Sequence, residues 1–444
     1  MEPPSTNKKL LHIAAIETSC DETAIAIIEA LYSGHSFRVL SNIVLSQVAM
    51  HAQWGGVVPN LAKREHEKNL PFLLLKSVQE SNFSISKSQF SISKFRFHRE
   101  SSAKPGQIPN SKTQILNSIL EKNEELQNQF EKHLLHIPRP NIDLIAVTQG
   151  PGLEPALWVG VNFARALSML WDIPLIGINH MEGHIASALL KQSGKISNFQ
   201  FPISKKNKKI SNYKRYMLKA IRYPALALLV SGGHTELVLI KKPLQYKIIG
   251  ETRDDAAGEA FDKVARILGL SYPGGPQVSA EAQQSEVRLP KVVGSRTSDC
   301  FSLPRPMIHS KDFDFSFSGL KTAVLYMVRD LEKQGANIKK LRPAICKEFE
   351  NAVVDVLVSK TIRAAKQYKI KTILLGGGVA ANVSLQKNLA VAIKKDLPNS
   401  KFYMPNSNLT GDNALMIAAA TIGHGKQAKK TAWKTLKPDA NMRF

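Results

Sequence analysis

Two stretches of this 444-residue chain repeat one pattern, and the repeat limits the folds open to it. Ile13-Ala-Ala-Ile-Glu-Thr-Ser-Cys-Asp-Glu-Thr-Ala-Ile-Ala-Ile-Ile28 is an apolar run, a polar turn and a second apolar run. Ala225-Leu-Ala-Leu-Leu-Val-Ser-Gly-Gly-His-Thr-Glu-Leu-Val-Leu-Ile240 is built the same way, with Val230 standing where Ile16 does. Each reads as strand, turn, strand. Later in each half an apolar run ends in glycines that lead into a helix: Leu144-Ile-Ala-Val-Thr-Gln-Gly-Pro-Gly152, then Thr372-Ile-Leu-Leu-Gly-Gly-Gly-Val-Ala-Ala-Asn382. Two α/β halves of like topology, facing one another across a cleft, are the simplest architecture.

The glycines have a chemical use in such a cleft. A hairpin turn made of Ser231-Gly232-Gly233 exposes backbone N–H groups and lets a phosphate approach without interference from Cβ. Gly376-Gly377-Gly378 opens a helix, whose amino end favours an anion or lets a flat ring lie against bare backbone. Either cluster alone also serves to shape a tight turn. Together, in a duplicated chain, they point to a nucleotide clamped between lobes.

His180-Met-Glu-Gly-His184 follows Pro174-Leu-Ile-Gly-Ile-Asn179, a short run that reads as a buried parallel strand. The first imidazole therefore sits where strand gives way to helix, at the carboxyl edge where open α/β sheets bind ligands. Residues i and i+4 lie one turn apart on one helix face, so both rings can reach a single cation. Thr410-Gly-Asp-Asn413 opens a distant helix with a carboxylate, Asp412, that could join them. Glu182 stands two places after His180, which turns it away from the ring face. The zinc-peptidase helix H-E-x-x-H, with its glutamate base directly after the first histidine, does not apply.

With 43% hydrophobic and 22% charged residues the composition is that of a soluble globular protein. The apolar runs, Ala225 to Val230 among them, are strand-sized and Met1 to Lys9 is polar, so neither a membrane span nor a secretory leader is expected. Cys20, Cys300 and Cys346 share no C-x-x-C spacing, which suits a reducing cytoplasm.

Most of the +24 net charge lies in two places: residues 81–116 carry six Lys/Arg and one Glu, and residues 191–222 carry ten Lys/Arg and no acid. The first contains a near-repeat, Phe83-Ser-Ile-Ser-Lys-Ser-Gln-Phe90 and Phe90-Ser-Ile-Ser-Lys-Phe95, echoed at Phe201-Pro-Ile-Ser-Lys-Lys206. Such Ser/Lys/Asn-rich stretches read as solvated surface insertions or as a polyanion-binding arm. Phe90, Phe95 and Phe97 among the cations would suit RNA. The expected organisation is an N-terminal α/β lobe at 11–190 with an insertion near 81–116, a basic linker at 191–222, a C-terminal α/β lobe at 223–425, and a basic tail at 426–444 with no assigned role.

The ordered strings IETSCDETA, HMEGH, LLVSGGHTEL, DDAAGEAFDKVARILGL with YPGGP, FSFSGLKTAV, GGGVAAN and TGDNALMIA resemble the tRNA N6-adenosine threonylcarbamoyltransferase (TsaD) family. The resemblance covers residues 11–80, about 136–190 and 223 to roughly 425. It implies an actin/Hsp70-like (ASKHA) α/β fold, two RNase-H-like lobes around a nucleotide cleft. It implies transfer of threonylcarbamoyl from threonylcarbamoyl-AMP to N6 of adenosine 37 in tRNAs reading ANN codons. One divalent metal, iron or zinc, is implied on His180, His184 and Asp412, and three protein ligands leave coordination positions open. The adenylate contacts it implies fall on Leu229, Val230, Ser231, Gly232, Gly233, Asp262, Gly275 and Asn382. Some members carry an aspartate four residues after that last glycine; here Ser279 stands there. Bacterial relatives work with a paralogous TsaB-like partner and a small TsaE-like ATPase, in the cytoplasm and with no membrane.

Other roles stay open for several of these residues. Asp262 suits ribose hydroxyls or a pairing with Lys263 or Arg266, and Asn382 suits an adenine edge or a helix cap. Lys321 suits a phosphate or plain solvent, Glu17 and Asp21 face the cleft if the first hairpin turn does, and no general base is identified. An ATPase or kinase on the same fold, or a nucleic-acid-binding protein without transferase activity, remain alternatives.

Overall fold

The computed structural model describes residues 10–31, 36–83, 110–193, 213–285, 302–425 and 431–444. Apart from Phe83, the near-repeats, with Phe90, Phe95 and Phe97, lie outside the described residues, as do most of the two basic stretches. The first half contains β1 (Leu10–Glu17), β2 (Glu22–Leu31), β3 (Ser36–Ser46), α1 (Val48–His51), α2 (Pro59–Glu80), α3 (Asn110–Leu120), α4 (Glu124–His133), β4 (Leu144–Gly150), α5 (Glu154–Trp171), β5 (Leu175–Asn179), α6 (His180–Leu189), β6 (Leu190–Ser193) and β7 (Arg215–Leu218). The second contains β8 (Ala225–Val230), β9 (Thr235–Lys242), β10 (Gln245–Glu251), α7 (Ala257–Ile267), α8 (Gly274–Gln283), α9 (Ser318–Lys333), α10 (Ile338–Gln367), β11 (Thr372–Gly376), α11 (Val383–Asp396), β12 (Lys401–Tyr403) and α12 (Ala414–His424).

The internal echo becomes two sheets of one design. The first runs β5-β4-β1-β2-β3-β7-β6 and the second β10-β9-β8-β11-β12. In each, the leading three strands form an antiparallel meander, and a further parallel pair, β4 and β5 in the first sheet and β11 and β12 in the second, adds beyond the first strand of the meander. Strands β1 and β8 are centre strands buried on both faces, which is why they read as apolar runs instead of alternating. Ala14 and Ile16 face a core with α2 to α5, whereas Ile13 and Ala15 face α12. Likewise Leu226, Leu228 and Val230 face α7 to α11, and Ala225, Ala227 and Leu229 face α6.

Helices α6 and α12 thus fill the space between the sheets, α6 on the second sheet and α12 on the first. Every residue of α12 from Ala414 to Thr421 is buried, so the helix is apolar all round, as a helix between two layers must be. A methyl on Gly183 would meet Ile417 and Met416 at 3.0 Å, so the glycine sets how closely the two helices approach.

Three segments cross the boundaries expected from sequence. Strand β7, from the stretch expected as a linker, pairs with β3 and β6 and widens the first sheet. Helix α12, from the expected second lobe, packs on the first. The tail bridges both: Thr431 pairs with Leu175 and Leu436 enters the first core, while Arg443 salt-bridges Glu251 at 2.9 Å and the Phe444 ring lies 4.7 Å from that of Tyr246.

Candidate metal and nucleotide site

Each of the three expected metal ligands stands at the start of a helix or one turn in. Strand β5 ends at Asn179, whose side chain accepts from the Met181 amide at 2.8 Å and so caps α6. The cap fixes the first turn, and with it His180 and His184 on one face, their ring centroids 4.6 Å apart. Asp412 directly precedes Asn413, which caps α12 through the Met416 amide at 3.0 Å. Because α6 packs on α12, the two helix starts meet. Asp412 Oδ1 lies 3.4 Å from His180 Nε2 and 3.3 Å from His184 Nε2, and one donor atom from each of the three lies within 4.8 Å of the others.

His184 is 1% exposed, and neither ring nitrogen has hydrogen-bond geometry to any partner among the described residues. Buried polar atoms left unpaired cost free energy. Two imidazole nitrogens and a carboxylate oxygen converging on one point suit a divalent cation, so the residues present fit the implied metal.

Behind His180 stands Glu17, completely buried. Its carboxylate accepts from the Ser19 amide and the Thr148 hydroxyl, both at 2.6 Å, and lies 3.1 Å from His180 Nδ1. A carboxylate on the far nitrogen orients a metal-binding histidine and leaves Nε2 free for the ion. Burial opposes a charged His180, but Asp412 and Glu17 outweigh it and hold the imidazole well above its usual range. Burial also opposes a charged Asp412, and here His180 and His184 outweigh it and hold the carboxyl far below its own. Positive charge is favoured at this point.

The Ser231–His234 turn lies alongside. It is closed by Ser231 N to His234 O at 2.8 Å and by His234 N to Ser231 Oγ at 3.1 Å. Gly232 and Gly233 have open space where a Cβ would be, and no described group accepts from either amide. A methyl on Gly376 would lie 3.0 Å from both the His184 carbonyl oxygen and the Leu229 side chain, which puts the end of β8, and the turn after it, beside α6. Burial, then His180 and His184, draws His234 down to about 4. Leu229 and Val230 are completely buried in opposite cores, so only their backbone is available to a ligand.

The remaining expected contacts lie around α8. Asp262 accepts from the Gly274 amide at 2.7 Å and from that of Gly275; burial raises its carboxyl pKa and the amides partly offset this. It therefore holds the start of α8, while Lys263 pairs with Asp255 and Glu259, and Arg266 donates to the Gly55 carbonyl. Gly275 itself faces open space. Asn382 caps α11 through the Leu385 amide and donates to Ser279 Oγ at 2.9 Å and Glu350 Oε1 at 2.8 Å. Its amide is thus engaged within the lobe, and Ser279 belongs to the same network. Glu182 turns from the rings to hydrogen-bond His424 at the end of α12.

Two features beside the site had no role in the sequence reading. Glu17 is one, and its signal was only a lone acid ending an apolar run. The Asp21–Glu22 pair is the other: burial, then Asp412 and Asp21, push the Glu22 carboxyl up to about 10.

The sequence profile of the tRNA N6-adenosine threonylcarbamoyltransferase family matches residues 38–89, 127–205 and 210–419. Proteins of that name are similar to this chain: one from Listeria welshimeri is 36% identical over 96% of this chain and 95% of its own. One from Thermosipho africanus is 37% identical over 92% of each, and one from Geobacillus thermodenitrificans 36% identical over 92% of this chain and 90% of its own. Among solved structures, full-length HypF in a phosphate- and nucleotide-bound form aligns with 96% of this chain and 48% of that one, at 11% identity and a TM-score of 0.45, too distant to carry an argument.

Proposed function

Since the chain belongs to the tRNA N6-adenosine threonylcarbamoyltransferase family, we propose that it moves the threonylcarbamoyl group of threonylcarbamoyl-AMP to N6 of adenosine 37 in tRNAs reading ANN codons. The shared strand order of the two sheets supports reading them as the paired RNase-H-like lobes of an actin/Hsp70-like fold around a nucleotide cleft. The observation that carries the reading is the fully buried His184, neither ring nitrogen in hydrogen-bond geometry with a described residue, converging with His180 and Asp412 beside an open glycine turn.

In the reaction a bond forms between N6 and the carbamoyl carbon, and the bond from that carbon to the adenylate phosphate oxygen breaks. AMP departs with the electron pair and N6 gives up a proton. His180, His184 and Asp412 would hold one divalent ion, iron or zinc, which supplies a Lewis acid for an oxygen of the donor. Glu17 keeps His180 oriented toward that point. The Gly232 and Gly233 amides meet the phosphate as its charge grows, and the side chains of Leu229 and Val230 serve as the turn's buried anchor. An exocyclic amine is a weak nucleophile, so holding it against the carbonyl supplies much of the rate. The work is cytoplasmic, alongside a paralogous partner and a small ATPase. Among the described residues no helix is long and apolar enough to cross a membrane.

The test is transfer of labelled threonylcarbamoyl to an ANN-decoding transcript, with partners supplied and bound metal measured in the same samples. The parent is expected to label adenosine 37 and not a transcript with guanosine there. His184→Ala is expected to lose its metal and at least about 100-fold of the rate. Full transfer by metal-free His184→Ala would remove the metal from the reaction. Steady ADP release without tRNA, and no transfer, would favour the ATPase.

A further inference from the structure

The segment after β3 runs from the first hairpin turn, whose Ser19 hydroxyl lies 3.1 Å from His180 Nδ1, to Arg266 of the second half. At its start the Gln47 amide donates to the Asp21 carbonyl at 2.9 Å. Fully buried His51 pins both ends, with Nε2 3.1 Å from Gln47 Oε1 and Nδ1 accepting from the Val58 amide at 3.3 Å. At its tip the Gly55 carbonyl accepts from the Arg266 guanidinium on α7, and a methyl on Gly55 would lie 3.2 Å from that group. Between these ties stands Trp54, 69% exposed. It ends a single 3-10 turn, Ala52–Trp54, and Gly55 reverses the chain directly after it at φ +66°. No aromatic or cationic side chain among the described residues packs on its ring.

A single exposed apolar side chain is ordinary. This one is the largest side chain there is, it is carried on backbone pinned at both ends, and the residue after it, Gly55, is bonded to the exposed Arg266 of the second half. Resting on the transferase reading, we propose that Trp54 is a stacking platform for a nucleobase next to adenosine 37, with Arg266 meeting the adjoining phosphate. A base delivered into a cleft leaves its stack, and its neighbours lose a partner. Aromatic faces and guanidinium planes hold the splayed bases of single-stranded loops. An exposed ring with a guanidinium bonded to the next residue offers a base face and a phosphate partner side by side, the pairing single-stranded RNA takes, so the observations favour RNA.

The experiment uses the full chain with its partners and a fluorescein-labelled anticodon stem-loop, together with the same RNA carrying 2-aminopurine at position 36 or 38. Trp54→Ala is expected to weaken stem-loop binding about tenfold and to abolish the 2-aminopurine quenching. Trp54→Phe restores most of both, and neither variant changes metal content, melting temperature or the KM for the adenylate. Parental affinity and quenching in Trp54→Ala overturn the proposal. So does loss of a protein partner's binding with RNA affinity intact, which would make the ring a protein contact. A parent that leaves adenosine 37 unlabelled fails the transferase reading itself; a parent that labels it beside an indifferent Trp54→Ala fails only the stacking.

Discussion

At the Ser231-Gly232-Gly233 turn, a methyl added to either glycine meets no atom within 4 Å, whereas on Gly377 it would lie 2.3 Å from the Val230 carbonyl oxygen. The neighbouring Gly376 is nearly as confined, 3.0 Å from the His184 carbonyl oxygen, and only Gly378 of that cluster is open. Both clusters follow a buried strand, and both read in sequence as a place for a ligand. In the structure the amides of the first have no acceptor among the described residues. The second lets the exit of β11 lie against α6 and the end of β8, which seats the helix carrying His184 on the second lobe. Absence of a Cβ says that something comes close, and not whether it is a phosphate or another part of the chain.

The sharpest way to break the comparison is Gly377→Ala. Its φ of +90° strains any L residue, and the opposing atom is backbone oxygen that cannot rotate away. A loss of at least about 3 kcal/mol is expected, seen as a fall in melting temperature of roughly 10 °C or as insoluble protein. A parental melting curve would show that the second turn is not the tight one.

Gly232→Ala tests the other side with a smaller effect. The melting temperature should stay within about 1 °C, because the methyl enters open space. That same space is where a phosphate would approach, so the KM for threonylcarbamoyl-AMP should rise about tenfold, with kcat less affected. An unchanged KM would leave two structural turns and no phosphate site.

The difference between these turns was beyond reach of the sequence, and the reason is general to the site. Strands β1, β4, β5, β8 and β11 were legible because burial on both faces forces continuous apolar runs. The pair His180 and His184 was legible because a helix fixes i and i+4 locally. Everything that depends on which face packs on which was not. The return of α12 to the first sheet, Glu17 behind His180, Asn382 engaged with Ser279 and Glu350, and the tail crossing both lobes are contacts between residues far apart in the chain. They leave no period to read. Asp412 was placed through its family motif; the structure adds the physical reason, the packing of α6 on α12 that joins two helix starts.

The smallest effect concerns the strands that feed the two turns. Strand β11 is buried along its whole length, while β9 leaves the open turn carrying Glu236, paired across the sheet with Glu251. One oxygen of Glu236 is buried without a hydrogen bond among the described residues, and burial, then Glu251, push its pKa up to about 7, with Arg443 opposing. The fold therefore prefers the neutral acid. Its contribution to stability is complete below the ordinary value of 4.5 and disappears as pH rises through about 7. Glu236→Gln is neutral at every pH, so it should raise the melting temperature by about 3 °C at pH 8 and leave it unchanged near pH 4. A gain of equal size at both would assign the effect to packing. No gain at pH 8 would mean that Arg443, at the end of the tail, already compensates the charge; Arg443→Ala should then make the pH 8 gain appear.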